Sequence, residues 1–488
     1  MTRFAQYFVD GDWMDATGDA ESSVVDPSTE QCIGTVKSCS MADIDRAFGC
    51  ARRSFSSWCR SSRQERRMVL ERLGAALARR ADAFVQAYAT EVGAPVFLGR
   101  EKLVPMALTN LKFIIEGLEQ VAWTERIRNS RVDKTAVGVI AAVTPWNHPL
   151  HQMVAKVGGA IAAGCTVVLK PSELAPTIAQ LFAQAVAESG LPAGAFNLVW
   201  GGADAGRYLV SHHEADLVSF TGSREVGTQV IQASAAGIRP VALELGGKSA
   251  ALVLDDADID AAVRAVFQQC MAHSGQTCVA QSRLIVPRRL AARVEEQLAA
   301  LAALVAIGDP RQETTRLGPV SNRRQFERVH RYIDLAEKEG ARRLTGASGR
   351  AQGFERGFFI APTVFSEVTA SMTLAFEEVF GPVLALMTYE TEEQALQMAN
   401  ATRFGLSGSV WSGDVARAEA CAGQMRTAQV VINGAAQNLA APFGGRGASG
   451  FGRENGRFSI EAFLELKTVQ LPIAEQGINP STSLTKQI

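Results

Sequence analysis

Three residues suited to covalent chemistry lie at separate points along the chain. Cys278 lies among small and polar residues in Gly275-Gln276-Thr277-Cys278-Val279-Ala280, Glu244 precedes it, and Asn147 lies further upstream. A thiol in such surroundings can be approached and ionised, whereas a cysteine in an apolar run usually cannot. The three residues supply a nucleophile, a carboxylate base and an amide that can donate to an oxyanion. Together they predict covalent chemistry on a carbonyl.

The composition favours a globular enzyme of more than one domain. At 488 residues the chain exceeds the size at which a single hydrophobic core stops growing. Its 49 basic and 50 acidic residues give a formal net charge of −1, which predicts no broad attraction to nucleic acid or to an anionic membrane. No stretch has the character of a signal peptide or a membrane span, so we expect a cytoplasmic protein that acts on a small molecule.

The cysteines and histidines predict neither disulfides nor a metal. The eight cysteines include no Cys-x-x-Cys pair, which fits a reducing compartment. His148 and His151 lie three residues apart, but no third ligand with zinc-like spacing accompanies them. Cys270, eight residues before Cys278 on an expected helix, is assigned to the core.

The elements that must position these residues alternate between strand and helix. Ser40 and Asp43 resemble a capping box, and apolar residues then recur at helical spacing up to Trp58. Short apolar runs typical of buried parallel strands follow at 137–143, 166–169, 196–199, 217–220 and 250–254. Helix-forming stretches such as 175–189 separate them, which predicts a doubly wound α/β sheet that binds a dinucleotide.

Two glycine-rich segments, 201–206 and 220–227, follow apolar strands, although neither is a clean Gly-x-Gly-x-x-Gly fingerprint. In the second, Gly222 would let the backbone approach a pyrophosphate, and Ser223 would cap a helix whose first amides face the anion. Lys170 and Glu173 follow another strand, where ligands bind in such sheets. Glu173 would hold a ribose diol and repel a 2′-phosphate, which favours NAD over NADP.

The charged, β-capable stretch 126–135, around Asn129-Ser130, predicts an exposed hairpin. It has no obvious packing partner within its own domain, so we expect it to pair with another subunit. The polar tail after Pro472 is expected either to be loose or to form an arm across a partner.

Seven ordered motifs, spread over nearly the whole chain, resemble those of the aldehyde dehydrogenase superfamily, hydrolytic NAD(P)-dependent branch. They are Thr144-Pro145-Trp146-Asn147, Lys170-Pro171-Ser172-Glu173, Phe220-Thr221-Gly222-Ser223, Glu244-Leu245-Gly246-Gly247-Lys248, Gly275-Gln276-Thr277-Cys278, Glu377-Glu378-Val379-Phe380-Gly381-Pro382 and Pro442-Phe443-Gly444-Gly445.

The resemblance implies an aldehyde dehydrogenase-like α/β fold: a Rossmann-type NAD-binding domain, an α/β catalytic domain and an oligomerisation hairpin. The implied ranges are 1–117 and 137–246 for the NAD-binding domain, 118–136 for the hairpin, 247–448 for the catalytic domain, and 449–488 for a return segment with a C-terminal oligomerisation arm. A homodimer or homotetramer is implied as well.

The resemblance also implies the roles of individual residues. Cys278 attacks an aldehyde to form a thiohemiacetal, hydride passes to NAD, and water activated by Glu244 hydrolyses the resulting thioester to a carboxylic acid. The catalytic positions implied are Cys278, Glu244, Asn147 and, along a proton path, Lys156 and Glu454. The cofactor positions implied are Trp146, Lys170, Ser172, Glu173, Gly202, Phe220, Thr221, Gly222, Ser223, Leu245, Glu378 and Phe380. The substrate-pocket positions implied are His148, Thr277, Val279 and Phe443, with Gln437 and Asn438 on a nearby loop.

Other interpretations stay open from the sequence. Acyl transfer to CoA instead of water is disfavoured because relatives of that kind commonly lack the carboxylate found here as Glu244. Two further classes of function remain. One is a non-catalytic binding or structural protein on the same scaffold, and the other is a cysteine hydrolase that uses His273. A simpler alternative for Glu244 is an ion pair with Lys248. A simpler alternative for Lys156 and Glu454 is an ion pair with a purely structural role.

The substrate is not specified beyond an aldehyde. His148 stands where many relatives have an aromatic residue, and Ala155 stands where some have a bulky one, which predicts a wider and more polar tunnel entrance. No strong cationic anchor for a dicarboxylic semialdehyde is obvious near Phe443, although Arg446 is close in sequence.

Overall fold

The computed structural model describes residues 1–472 of the chain. Its strands, in chain order, are β1 (Thr2–Phe4), β2 (Gln6–Val9), β3 (Asp12–Asp15), β4 (Glu21–Val25), β5 (Cys32–Lys37), β6 (Thr124–Ile127), β7 (Ser130–Ala136), β8 (Val139–Val143), β9 (Thr166–Lys170), β10 (Phe196–Leu198), β11 (Leu217–Thr221), β12 (Val241–Glu244), β13 (Ala250–Val253), β14 (Arg283–Pro287), β15 (Arg342–Thr345), β16 (Thr363–Ser366), β17 (Val383–Tyr389), β18 (Ser407–Trp411), β19 (Gln429–Ile432), β20 (Gly450–Phe451) and β21 (Leu464–Gln470).

The α-helices, in chain order, are α1 (Met41–Trp58), α2 (Arg63–Ala78), α3 (Ala81–Ala87), α4 (Val96–Leu98), α5 (Val104–Gln120), α6 (Pro149–Met153), α7 (Gly159–Ala163), α8 (Pro176–Ala187), α9 (Ala203–Ser211), α10 (Arg224–Ala235), α11 (Ile259–Met271), α12 (Ala291–Ala303), α13 (Arg323–Lys338), α14 (Thr373–Phe376), α15 (Glu392–Asn400), α16 (Val415–Gln424) and α17 (Gly456–Glu461). Short π-helical turns cover Tyr88–Val92, Gly99–Leu103 and Val154–Gly158, and 3₁₀ turns cover Ala272–Gly275, Arg288–Leu290 and Gly447–Ser449. Among residues 1–472, no helix combines the length and apolar content needed to cross a bilayer.

The predicted capping box does start a helix. Ser40 Oγ accepts from the Asp43 amide, and the Asp43 carboxylate accepts from the Ser40 amide at 2.8 Å, so two amides at the start of α1 are satisfied. Ile44 and Phe48 then lie on the buried face of α1, which packs against β8, β9 and β10. The predicted helical spacing is confirmed, since it reflects burial against a sheet.

The first sheet has eight strands in the order β20-β12-β11-β8-β9-β10-β2-β3, and the five from β12 to β10 are parallel. Chain order reverses at β8, because β9 and β10 lie on one side of it and β11 and β12 on the other. Ligands bind in open α/β sheets at such a reversal, beyond the carboxyl ends of the strands. Four of the predicted apolar runs form the strands β8 to β11, so the prediction of a doubly wound α/β sheet is confirmed. Strand β12, which ends at Glu244, is not among the predicted runs.

The second sheet has seven strands in the order β15-β16-β17-β14-β13-β18-β19, and all but β15 are parallel. The predicted run 250–254 forms β13, an interior strand that lies between β14 and β18. Apolar side chains on this sheet form their own buried clusters, apart from the cluster around the first sheet. Cys270 is fully buried on α11, as expected.

The predicted hairpin is β6 and β7, joined at Arg128-Asn129, and Arg128 adopts a left-handed φ of 54°. The partner of this hairpin is a strand of the implied return segment 449–488, because β21 pairs with β7 along seven residues. That partner comes from more than three hundred residues away, which local sequence patterns do not specify. Pairing with another subunit stays a prediction. Ile127 on β6 and Leu466 on β21 remain exposed. The predicted C-terminal arm beyond Pro472 lies outside the described residues.

Candidate active site

The predicted catalytic residues come from both sheets. Glu244 is the last residue of β12, and Asn147 follows the carboxyl end of β8. Cys278 lies in the connection between α11 and β14, which belongs to the second sheet. The Gly247 α-carbon lies so close to the Cys278 carbonyl oxygen that a β-carbon there would be 2.6 Å from it. The site therefore lies where the carboxyl edge of the first sheet meets the Cys278 loop.

The backbone leading to Cys278 is held in an unusual shape. His273 and Ser274 both adopt a left-handed φ of 54°, and Gly275 has a φ of 71°. A side chain at Gly275 would place its β-carbon 2.0 Å from the Gly381 carbonyl oxygen, so only glycine fits. The Ser274 hydroxyl donates to the Gly318 carbonyl at 2.8 Å, which fixes the turn from one side. Non-glycine residues in this conformation store strain that surrounding contacts must offset.

Gln276 connects this loop to its surroundings, a role that we did not predict from its place in the motif. Its Oε1 accepts from the Ser321 amide at 2.8 Å, and its Nε2 donates to the His273 carbonyl at 3.1 Å. The side chain is completely buried, so both of these hydrogen bonds are shielded from water. The loop that carries Cys278 is thereby held at two points.

Asn147 is joined directly to the Cys278 loop. Its Nδ2 donates to the Gln276 carbonyl at 3.0 Å, and His273 Nε2 donates to the Asn147 carbonyl at 2.8 Å. One amide hydrogen of Nδ2 stays free for a further acceptor. The structure thus links the predicted oxyanion donor to the loop that carries the predicted nucleophile.

Cys278 is partly exposed, unlike most of the other cysteines. Burial of its sulfur raises the pKa of the Cys278 thiol to about 12, and the neighbouring carboxylates of Glu378 and Glu244 contribute to this rise. The thiol is therefore neutral at pH 7 in this environment. Removal of its proton requires a nearby base or a nearby positive charge.

Glu244 is a buried carboxylate with one unpartnered oxygen. Only 4% of the residue is exposed, and Oε2 has no hydrogen-bond partner among residues 1–472. Burial, reinforced by the charge of Glu454, raises the pKa of Glu244 well above its ordinary value. The alternative pairing with Lys248 is not formed, because Lys248 Nζ also lacks a hydrogen-bond partner within that range. A carboxylate with a raised pKa holds a proton more readily than an ordinary carboxylate, which suits a general base.

Lys156 and Glu454 form a buried ion pair, with Nζ 2.8 Å from Oε1. Lys156 Nζ also donates to the Ser219 hydroxyl at 3.2 Å. Glu454 pairs through its backbone with Phe443, with N–O distances of 2.9 and 2.7 Å, so a predicted pocket residue adjoins the pair. The buried contact between Lys156 and Glu454 fits both an ion pair and a proton path, and the charge of Glu454 contributes to the raised pKa of Glu244.

Lys170 and Glu173 lie at the carboxyl end of β9, with Lys170 Nζ 3.5 Å from the Glu173 carboxylate. Nζ also donates to the Gly201 carbonyl at 2.6 Å, and burial lowers the pKa of Lys170. Gly202 is the N-cap of α9, and a β-carbon on it would meet open space. The predicted adenosine end of the cofactor site therefore has a cation, a carboxylate and room beside them.

The segment after β11 begins a helix as predicted. Ser223 caps α10, because its Oγ accepts from the Val226 amide at 3.3 Å. A β-carbon on Gly222 would lie 2.4 Å from the Phe220 ring, so the backbone approaches that ring more closely than another residue would allow. Helix α10 begins directly after the carboxyl end of β11, next to the point where strand order reverses, which is a favourable place for a pyrophosphate.

Glu378 and Phe380 reach the site from the second sheet. A Glu378 carboxylate oxygen accepts from the Gly247 amide at 3.0 Å, and burial raises the pKa of Glu378 to about 7. Phe380 has a left-handed φ of 62°, and its ring packs edge-on against Trp146 at 5.7 Å between centroids. Gln325 Nε2, which we did not predict, supports this segment by donating to the Val379 and Phe380 carbonyls.

The remaining predicted residues lie around the same crevice or beside it. Thr221 Oγ1 donates to Gln152 Oε1 at 2.9 Å, and Ser172 Oγ accepts from the Leu174 amide. Leu245 is buried, and its amide donates to the Ser449 carbonyl at 3.1 Å, a contact that the sequence did not indicate. The predicted pocket residues are half-buried or buried, namely His148, Thr277, Val279 and Phe443, whereas Gln437 and Asn438 are exposed.

His148 and His151 take part in no metal-like cluster. Over residues 1–472, no group of three or more His, Cys, Asp and Glu side chains is arranged to hold a metal ion. The His148 ring lies 5.2 Å from that of His273 between centroids. Burial lowers the pKa of His148 and His151, so both imidazoles are neutral at pH 7.

Known proteins resemble the chain over almost its full length. The profile of the Aldehyde dehydrogenase family matches residues 13–469. A "3-succinoylsemialdehyde-pyridine dehydrogenase" of a Pseudomonas species is 42% identical over 471 residues, which cover 96% of this chain and 99% of that protein. A "Putative aldehyde dehydrogenase" of Staphylococcus aureus is 36% identical over 470 residues, again 96% and 99% of the two chains.

Solved structures agree with these sequence matches. Aldehyde Dehydrogenase C of Pseudomonas syringae, solved with NAD+ and octanal, has a TM-score of 0.94 at 41% identity and covers 96% of each chain. An aldehyde dehydrogenase of Mycobacterium tuberculosis, solved with NAD+, has a TM-score of 0.94 at 38% identity and covers 97% of this chain and 99% of its own. The ordered motifs, the reversal of strand order and these matches lead to one conclusion: the chain belongs to the aldehyde dehydrogenase family.

Proposed function

We propose that Cys278, Glu244 and Asn147 form the catalytic centre of an enzyme that oxidises an aldehyde to a carboxylic acid with NAD. The observation that carries this proposal is the hydrogen bond from Asn147 Nδ2 to the Gln276 carbonyl, two residues before Cys278. It joins an amide donor to the loop of the only cysteine in the matching motif. Glu244 adds a buried carboxylate whose charge reaches the same sulfur.

Each of these residues has one chemical task. The Cys278 thiol gives up its proton to solvent, which the positive charge of a bound NAD would favour, and the thiolate attacks the aldehyde carbon. The new oxyanion is stabilised by the free amide hydrogen of Asn147 and by the Cys278 backbone N–H. The thiohemiacetal is oxidised to a thioester on the same sulfur. Glu244 then takes a proton from water, and the resulting hydroxide releases the acid and restores Cys278. The raised pKa makes Glu244 a stronger base than an ordinary carboxylate, which suits this task.

NAD fits the carboxyl edge of the first sheet. Ser223 and Gly222 stand at the N-terminus of α10, where the pyrophosphate would bind, and the open space at Gly202 leaves room for the adenosine portion. Lys170 and Glu173 would hold the adenosine ribose, and Glu378 the nicotinamide ribose. When bound, NAD supplies the hydride acceptor of the reaction. The neighbouring structures solved with NAD+ support this assignment.

Lys156 and Glu454 are assigned to proton transfer. Their ion pair is buried, and the Glu454 charge acts directly on Glu244, so a proton taken by Glu244 changes the energy of the pair. This coupling supports a route from Glu244 toward solvent.

Assembly and location are assigned on separate grounds. A homodimer or homotetramer is supported by the β6-β7-β21 sheet, because its edge and both faces are largely exposed in the single chain. A cytoplasmic location is supported by eight free cysteines.

Water as the acyl acceptor, in place of CoA, is supported by the position of Glu244.

The nucleophile is tested with Cys278→Ser. We expect NADH formation with aldehydes to be abolished, because a hydroxyl needs a stronger paired base than this site offers. NAD titration followed by protein fluorescence should still show binding, and Cys270→Ser serves as the matched control. Substantial dehydrogenase activity in the Cys278→Ser protein would contradict the assignment.

A further inference from the structure

A buried hydrogen bond joins His273 to Asn147 and takes no part in the proposed reaction. His273 Nε2 lies 2.8 Å from the Asn147 carbonyl oxygen, and because a carbonyl only accepts, the imidazole hydrogen is on Nε2. His273 is 4% exposed and Asn147 7%, so water does not compete for this contact. The imidazole therefore acts on the backbone of the predicted oxyanion donor.

Asn147, His273 and Gln276 form a closed ring of hydrogen bonds. Asn147 Nδ2 donates to the Gln276 carbonyl at 3.0 Å, and the backbone amide and Nε2 of Gln276 each donate to the His273 carbonyl at 3.1 Å. His273 Nε2 closes the ring at the Asn147 carbonyl. Asn147 is thereby held through both its backbone and its side chain. Because the side-chain amide is planar, fixing one Nδ2 hydrogen also fixes the direction of the other.

The backbone at His273 is held in the left-handed region, with a φ of 54° and a ψ of 33°. Such residues cost conformational energy and persist where the surrounding contacts over-determine them. Histidine and asparagine adopt this conformation more readily than most other residues apart from glycine. Asparagine at position 273 would therefore keep the backbone, but its shorter side chain would not reach the Asn147 carbonyl as Nε2 does.

The same contact makes His273 a poor base for Cys278. Its Nε2 carries a hydrogen and donates it to the Asn147 carbonyl. Burial lowers the pKa of His273 to about 4, so the imidazole is neutral at pH 7 and takes up a proton only in acid. The cysteine hydrolase in which His273 activates Cys278 has no support in this arrangement.

We propose that His273 is a positioning residue of the oxyanion site, and that it fixes the Asn147 backbone so that the free Nδ2 hydrogen meets the aldehyde oxygen. A preorganised donor needs no rearrangement while negative charge develops, and a small misplacement of such a group slows the reaction strongly. In this role His273 acts through Asn147 and not on the substrate itself. The inference rests on the proposed function and adds a residue to it.

Two substitutions separate the hydrogen bond from the backbone conformation. His273→Gln keeps an N–H donor near the position of Nε2, whereas His273→Asn keeps the left-handed backbone without a donor that reaches Asn147. With saturating NAD and aldehyde, we expect the rate of the first-turnover NADH burst to fall about ten- to a hundredfold in His273→Asn and less than about threefold in His273→Gln. The Kd for NAD should be unchanged in both proteins, because the imidazole acts on the oxyanion donor and not on the cofactor.

A double-mutant cycle shows whether His273 acts through Asn147. In an Asn147→Ala background, His273→Asn should slow the burst by less than about twofold further, because the group that it positions is already absent. His212→Asn is the matched control, since His212 is also 4% exposed but stacks on Phe48 and precedes the amino end of β11. Its effect should be the same in both backgrounds.

Three results would overturn the proposal. The first is an unchanged burst rate in His273→Asn, and the second is an equal loss in His273→Asn and His273→Gln. The third is a loss on His273→Asn that is as large in the Asn147→Ala background as in the unmodified enzyme. Failure of the proposed function would look different, because then the unmodified enzyme would yield no NADH with any aldehyde, or Asn147→Ala would leave the burst rate unchanged.

Discussion

Replacement of Glu244 by glutamine separates the two halves of the reaction. The change keeps the size of the side chain, but an amide cannot take a proton from water. General base catalysis contributes about 10²–10⁴ in rate, or about 3–5 kcal/mol of the barrier to thioester hydrolysis. Formation of the thioester depends on Cys278 and Asn147, so one equivalent of NADH per site should still appear. We expect a burst of NADH followed by turnover that is reduced a hundredfold or more.

The pH dependence gives an independent check. Burial and Glu454 raise the pKa of Glu244, so the base becomes protonated, and turnover falls, at a pH above the usual carboxyl range of about 4.3. Turnover of the unmodified enzyme should therefore rise with pH through this higher value. In Glu244→Gln that rise should be absent from the slow steady-state phase.

Stopped-flow absorbance of NADH measures both the burst and the steady rate. Glu91→Gln is the matched control, because Glu91 is equally buried, has one unpartnered oxygen and has a pKa raised to about 7 by burial. It should keep normal turnover. The reasoning would be refuted by a Glu244→Gln protein whose steady turnover stays within about tenfold of the original, or by one that yields no burst although NAD binds.

Two further substitutions test the surroundings of the site. Lys156→Met leaves the buried Glu454 carboxylate without its cation, so the free energy of unfolding should fall by about 3–5 kcal/mol, measured by urea denaturation; an unchanged midpoint would contradict the buried pair. Glu173→Gln removes the charge expected to repel a 2′-phosphate, so the ratio of kcat/KM for NADP to that for NAD should rise roughly tenfold, equivalent to about 1.4 kcal/mol. No change in that ratio would remove Glu173 from cofactor selection.

Much of the candidate site is predictable because its reactive groups lie in short local motifs. Cys278 was distinguishable by its small and polar neighbours, and the strand runs by their unbroken apolar character. Residues that only hold the loops of the site in place could not be identified from the sequence. Gln276 and Gln325 hold loops through side-chain contacts with backbone carbonyls, and glutamine carries no local signal of such a role.

The sequence by itself determined which residue types could perform the chemistry and that strands and helices alternate around them, since both follow from short-range composition and spacing. Only the tertiary structure decided which of them meet. Asn147 contacts Gln276 across 129 residues, and β7 pairs with β21 at the far end of the chain. Sheet order and the path of the chain set these contacts and the burial that shifts each pKa. Short-range sequence patterns encode neither the order of the strands nor the path of the chain.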